Sequence, residues 1–245
     1  MKRSQNADPG ALSSVSRSVI EEFVRCARCA YLRLRHGVGP PPSLPFTLNS
    51  AVDALLKREF DVYRTQCSTH PWMEAAGIAA VPMQHPLLPR WRANRSGVRR
   101  VHQATGIEVY GAIDDLWQAA DGTVFVVDYK ATGGRLKDSL DADWHASYKR
   151  QAEIYQWLLR GNGLCVSDTA YFVYCFADKE APGFDARLSF AHRIIPYVGD
   201  AAWLDEVIVR LQRTVAEPNP PAAAVDCQYC SYRERAASAL TLVTD

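Results

Sequence analysis

Apolar and polar positions alternate from Ile107 to Leu116, and Thr123 to Lys130 forms a β-branched and aromatic run too short for a helix. Asp121-Gly122 between them is a turn signal, because glycine tolerates the positive φ of tight hairpins. The two stretches predict a β-hairpin. Elsewhere the period lengthens. Val19, Ile20, Phe23 and Val24 follow a capping-box sequence, Ser18-Val-Ile-Glu21, and predict a helix that carries Cys26 and Cys29 and ends near Gly37. Val52, Leu55, Leu56, Phe60 and Tyr63 predict a second helix over about 48–64. A third is expected from about Trp144 to Arg160, stopped by Gly161, and a fourth from Asp200 to Val215. Thr169 to Phe176 and Arg187 to Pro196 read as strands. Two proline-rich stretches, Gly39 to Pro45 and Glu217 to Pro221, cannot be helix interior and are expected as extended connectors.

Helices, a hairpin, a helix, two strands and a helix, in that order, predict a mixed α/β fold: a small mixed central sheet flanked by helices. Residues 1–12 and 236–245 are expected as flexible tails around one domain, 13–235. A chain of 245 residues is long enough for a sizeable core.

Composition narrows the function classes. Lys and Arg number 28 against 27 Asp and Glu, a formal net charge of +1, so any contact with nucleic acid must be local. The nearest local signal is the group Arg90, Arg92, Arg95, Arg99 and Arg100, at the end of a proline-broken stretch from His70. It reads equally as a solvated basic loop and as a phosphate-contacting one. The polar N-terminus offers no signal-peptide pattern and no apolar run spans a bilayer, so a cytoplasmic, reducing location is expected, with no membrane partner. Four of the seven cysteines form two Cys-x-x-Cys pairs, Cys26/Cys29 and Cys227/Cys230, a spacing that favours a metal over disulfides there. Cys67, Cys165 and Cys175 read as isolated thiols. No Walker-type phosphate loop is present, which excludes an NTPase of that kind.

The hairpin carries the candidate chemistry. Asp128 and Lys130, two apart, leave the same face of a strand. Four apolar residues, Val124 to Val127, precede them, so the charges stand at the margin of a core, where they are costly unless paired or ligating. Asp114, on the partner stretch, is placed to join them. Asp115 faces the other way. Two carboxylates beside an ammonium suit a divalent cation next to a phosphate. Gln151 and Tyr155, four apart, share a helical face that is either substrate-facing or plain core and surface.

Gly111-Ala-Ile-Asp114, then Asp128-Tyr-Lys130 followed by Ala131-Thr132-Gly133, then Gln151-x-x-x-Tyr155 resembles the PD-(D/E)XK nuclease superfamily. The likeness is to its RecB-like branch, which includes the iron–sulfur nucleases of CRISPR adaptation and recombinational repair. It covers roughly Ser16 to Arg235, and the ordered combination is specific where each motif alone is not. The resemblance implies a restriction-endonuclease-like core whose N- and C-terminal segments (13–37 and 222–235) are tied by a four-cysteine metal site. It implies Mg²⁺- or Mn²⁺-dependent DNA hydrolysis, on single strands or ends, with Asp114, Asp128 and the Tyr129 carbonyl as ligands. Lys130 would be catalytic, and Gln151 and Tyr155 would bind substrate. A helicase or a repair or defence protein is the implied partner. Where the branch usually has an upstream histidine this chain has Asp53, which is either an additional ligand or a helix-surface acid. Glu59 is a weaker candidate on the same helix. That departure also supports an alternative: an inactive nucleic-acid-binding module of the same fold. The branch's usual third C-terminal cysteine is missing near Ala236, so Cys29 completes a two-plus-two set. The resemblance implies a [4Fe–4S] cluster there, with Zn²⁺ as the alternative.

Overall fold

The computed structural model describes residues 12–41, 44, 46–133 and 145–241. Residues 1–11 and 242–245 of the expected tails, part of the first connector, the polar stretch after Gly133 and Trp144 at the expected start of the third helix lie outside the described residues. The chain forms two compact units: one from 1–43, 101–109 and 202–245, the other from 44–100 and 110–201.

The first unit is mainly helical. Strand β1 (Ser14–Ser16) pairs with β4 (Glu108–Gly111), where the Glu108 N–H donates to the Ser13 carbonyl at 3.0 Å, in a small sheet of order β1-β4-β3, with β3 at Val98–Val101; residues 98–100 and 110–111 of these strands belong to the second unit. The single helix expected as far as Gly37 is two. Helix α1 (Arg17–Arg25) starts at Ser16, whose hydroxyl accepts from the Val19 N–H, and stops at Cys26, where φ −159° and ψ 104° are extended. Helix α2 (Ala27–His36) then runs to Gly37 in the left-handed conformation, φ 70°. Helices α7 (Trp203–Ala216) and α8 (Gln228–Thr241) complete the unit. Helix α2 also secures the proline-rich connector, which is short of N–H groups of its own. Tyr31 Oη donates to the carbonyls of Glu217 and Pro218 at 3.1 and 2.9 Å, and Arg28 Nε donates to that of Pro221 at 2.8 Å.

The second unit is built on a five-stranded sheet of order β2-β5-β6-β7-β8: β2 Ala80–Pro82, β5 Asp115–Ala119, β6 Val124–Thr132, β7 Thr169–Ala177 and β8 Phe190–Val198. Neighbours pair antiparallel except β6 and β7, which are parallel and are joined through helix α6 (Ala146–Gly161). The predicted turn is present, with Gly122 at φ 89° and its N–H bonded to the Ala119 carbonyl. The strand before it differs from expectation. Ile107 to Leu116 is not one strand: β4 ends at Gly111, β5 begins at Asp115, and they belong to different sheets. Asp114 therefore lies in the gap between two strands.

Central strand β6 is covered on both faces. Val127 and Tyr129 meet α3 (Thr47–Gln66) through Val52, Leu56 and Phe60. Phe60 stacks on Trp117 (ring centroids 5.6 Å apart) and on His70 (4.2 Å). Asp128 and Lys130, on alternate positions, face α6. Short helices α4 (Pro71–Ala75) and α5 (Leu88–Trp91) occupy the proline-broken stretch. Its arginines serve the fold in three of five cases. Arg92 bonds Asp61 and the carbonyl of Asp114, Arg99 covers the Tyr110 ring at 4.7 Å, and Arg100 covers Trp157 at 3.8 Å. Arg90 and Arg95 are exposed.

Candidate active site

Parallel pairing with β7 sets Asp128 opposite Phe172 and Lys130 opposite Tyr174, near the end of β6. Asp128 is 1% exposed, and a carboxylate so placed must be compensated. Its Oδ1 accepts from Gln151 Nε2 at 2.8 Å, and its Oδ2 forms an ion pair with Lys130. Burial pushes the Asp128 carboxyl up to about 6; Lys130 opposes the rise and Asp114 adds to it. Lys130 is itself buried against its charge, yet Asp128 and Asp114 hold its ammonium above the usual lysine range.

Asp114 reaches the same place from the β4–β5 gap. Its Oδ2 accepts the Tyr129 N–H at 3.1 Å, locking it to the strand that carries Asp128. Asp115, next in the chain, turns inward. It is fully buried, bonded by Arg64 Nη2 at 2.5 Å and by Tyr129 Oη at 2.6 Å, and paired with Arg92 Nη2 at 2.9 Å. The two adjacent aspartates thus divide into a cleft carboxylate and a core carboxylate. Asp53, on α3, lines the cleft with Asp114, Tyr129 and Lys130, a space of about 420 Å³. Glu59 points elsewhere, to His70 Nε2 at 3.1 Å.

Two further residues belong here. Lys57 Nζ donates to Asp53 Oδ2 at 2.8 Å and to Asp114 Oδ1 at 3.0 Å. Burial works against its charge, but Asp114 and Asp53 together raise its pKa. Tyr148 lines the cleft, with Lys130 Nζ 4.5 Å from its ring centroid. Both carried a signal in sequence, Lys57 one turn after Asp53 and Tyr148 one turn before Gln151, but neither lies in a motif. Gln151 also bonds Tyr155 Oη at 3.2 Å, and Tyr155 is 3% exposed, so it stands behind Gln151. Carboxylate oxygens, here those of Asp53 and Asp114 at the cleft and of Asp128 paired with Lys130, are hard donors of the kind that Mg²⁺ and Mn²⁺ take. Oδ2 of Asp128 is buried and paired with Lys130, an oxygen that a cation would also satisfy.

The four paired cysteines converge in the first unit. Their Sγ atoms all lie within 4.8 Å of one another, with Cys29–Cys227 at 3.5 Å, Cys29–Cys230 at 3.7 Å and Cys26–Cys230 at 3.8 Å. Burial favours the thiol of Cys26, but hydrogen bonds, including one from the Ala224 N–H at 3.5 Å, bring its pKa down to about 7. Burial and neighbouring sulfurs raise that of Cys29. Arg233 Nη1 lies 3.6 Å from the Cys29 sulfur. Four sulfurs this close, with N–H groups aimed at them, could hold a metal ion between them.

A family model of the PD-(D/E)XK nuclease superfamily matches residues 14–235, and the chain belongs to that superfamily. No curated protein matches the sequence. Among solved structures it is similar to a candidate exonuclease of Eubacterium rectale, at 17% identity over 90% of this chain and 88% of the other, with a TM-score of 0.47. It is also similar to the protein SSO0001, at 13% identity over 90% and 81%, with a TM-score of 0.34. At these identities and scores neither likeness bears on activity.

Proposed function

We propose that this nuclease hydrolyses phosphodiester bonds of DNA at the Asp53, Asp114, Asp128 and Lys130 cleft, with Mg²⁺ or Mn²⁺ held by Asp114, Asp128 and the Tyr129 carbonyl. The observation that carries it is convergence: Asp114 and Lys130 line one cleft, Asp114 is bonded to the Tyr129 N–H fifteen positions on, and buried Asp128 pairs with Lys130. A divalent ion there supplies Lewis acidity and lowers the pKa of a bound water. Gln151 fixes the Asp128 carboxylate through Oδ1, and Oδ2 pairs with Lys130. Lys130 keeps its proton and is placed to donate to a phosphate oxygen as charge develops on it. Tyr155 holds Gln151 in position. Tyr148 and the largely exposed Phe46, both at the cleft, offer ring faces on which the unpaired bases of a single strand or a frayed end can stack.

The test is Mg²⁺- or Mn²⁺-dependent cleavage of single- and double-stranded DNA by the intact protein, beside Asp128→Asn and Lys130→Ala. Loss of at least about a hundredfold in rate is expected for each variant. Equal inertness of wild type and variants on both substrates would overturn the enzymatic reading. One observation favours the alternative, a module that binds DNA without cutting: an ammonium, Lys57, already sits on two of the carboxylates. Salt-dependent DNA binding without cleavage, insensitive to Asp128→Asn, would establish it.

For the cysteine site the reading is a single Zn²⁺. A tetrahedral ion with Zn–S bonds of about 2.3 Å has sulfur–sulfur edges of about 3.8 Å, which the 3.5–3.8 Å separations match. A [4Fe–4S] cluster interposes four irons and their sulfides and holds its thiolates farther apart.

A further inference from the structure

We propose that Lys57 is a built-in second cation of the nuclease centre, so that three carboxylates take one divalent ion where they would otherwise take two. The proposal rests on reading Asp114 and Asp128 as cation ligands. Lys57 stands one helical turn after Asp53, so both side chains leave the same face of α3. That face is fixed by Val52, Leu56 and Phe60, which are buried against the sheet. The ammonium bridges the helix and the β4–β5 gap, 2.8 Å from Asp53 Oδ2 and 3.0 Å from Asp114 Oδ1. In two-metal phosphodiesterases a second divalent ion adds positive charge among the carboxylates, and here the Lys57 ammonium supplies positive charge to two of the three. Lys57 is 22% exposed, so its charge is only partly screened.

The formal charge agrees. Asp53, Asp114 and Asp128 carry three negative charges, and Lys57 and Lys130 two positive ones. One divalent ion takes the net charge from −1 to +1, which a phosphodiester then neutralises. Two ions would leave +3, with the second beside an ammonium already holding its ligands. A lysine ammonium has three donors. Two go to Asp53 and Asp114, and the third is left for a phosphate oxygen of the bound strand. Lys57 is thus a positioning residue for the two aspartates as well as a source of charge.

The experiment counts Mn²⁺ bound to the full chain, isolated with its cysteine site loaded, by calorimetry and by the electron paramagnetic resonance signal of free Mn²⁺. Wild type should bind one Mn²⁺ at this centre, and Asp128→Asn should lose it. Lys57→Met, checked for folding by circular dichroism, should bind two, while Lys57→Arg stays at one. Two ions in wild type, or unchanged stoichiometry and affinity in Lys57→Met, would overturn the proposal and leave the ligand reading intact. No binding by wild type would overturn both.

Discussion

Asp128 is the residue on which the site's acid–base behaviour turns. Its folded pKa of about 6 stands above the ordinary carboxylate value because ionisation in a buried position is penalised. Metal binding needs the carboxylate, so protons compete with it below that point. Mn²⁺ affinity should fall roughly tenfold per pH unit below about 6 and level off above it. Calorimetric titrations at several pH values measure this. The same shift acts on stability in the opposite sense. The metal-free protein is favoured by a protonated Asp128, so that contribution is complete below the unfolded carboxylate range and is lost as pH rises through about 6. Strand alternation predicted that the adjacent aspartates face opposite ways, and they do: Asp114 lines the cleft and Asp115 is buried. It did not show what receives Asp115. Arg64 and Arg92 come from α3 and from the proline-broken stretch, and no local pattern joins them to β5.

Helix α3 decides whether the cleft exists. It supplies Asp53 and Lys57, and what sets their depth is the packing of Phe60 among Trp117, Tyr129 and His70. Phe60→Ala should destabilise the protein by about 3–5 kcal/mol in denaturant titration, through lost burial and the cavity left behind. It should weaken Mn²⁺ binding as well, although Phe60 touches no ligand. The helix was legible from its apolar spacing, and so was the turn at Gly122. The interruption at Ala112 to Asp114 was not. The alternation of apolar residues continues across it, and only pairing to two different sheets divides β4 from β5. Helix α1 ends early for a similar reason. Its apolar period runs on, while the extended backbone at Cys26 redirects the chain so that Cys26 and Cys29 are both buried.

At the scale of the whole molecule, the chain leaves the helical unit and returns to it, and the cysteine pairs bring the ends of that unit together. Among the described residues no helix is long and apolar enough to cross a membrane. Single-ion ligation predicts about one zinc per chain, without acid-labile sulfide; about four irons with sulfide would establish a cluster. Stripping the metal with a chelator should expose α2 and α8 to hydrogen exchange. Without a cation the buried Cys29 and Cys230 return to neutral thiols, and no metal then ties residues 26–29 to 227–230.

The sequence by itself determined the chemistry available and most of the regular elements. Hydrophobic period is a property of neighbouring residues, and Asp-x-Lys, Gln-x-x-x-Tyr and Cys-x-x-Cys are each held within a few positions. Tertiary structure decided what those groups face. It placed Asp53 beside Asp114 and set Lys57 between them. It turned Gln151 onto Asp128, gave three of the five clustered arginines to the fold, and closed four sulfurs to within 4.8 Å. Each of these contacts joins residues distant in sequence. Strand register and helix packing fix such contacts, and the energy behind both comes from burying surfaces against partners that no local stretch of the chain contains.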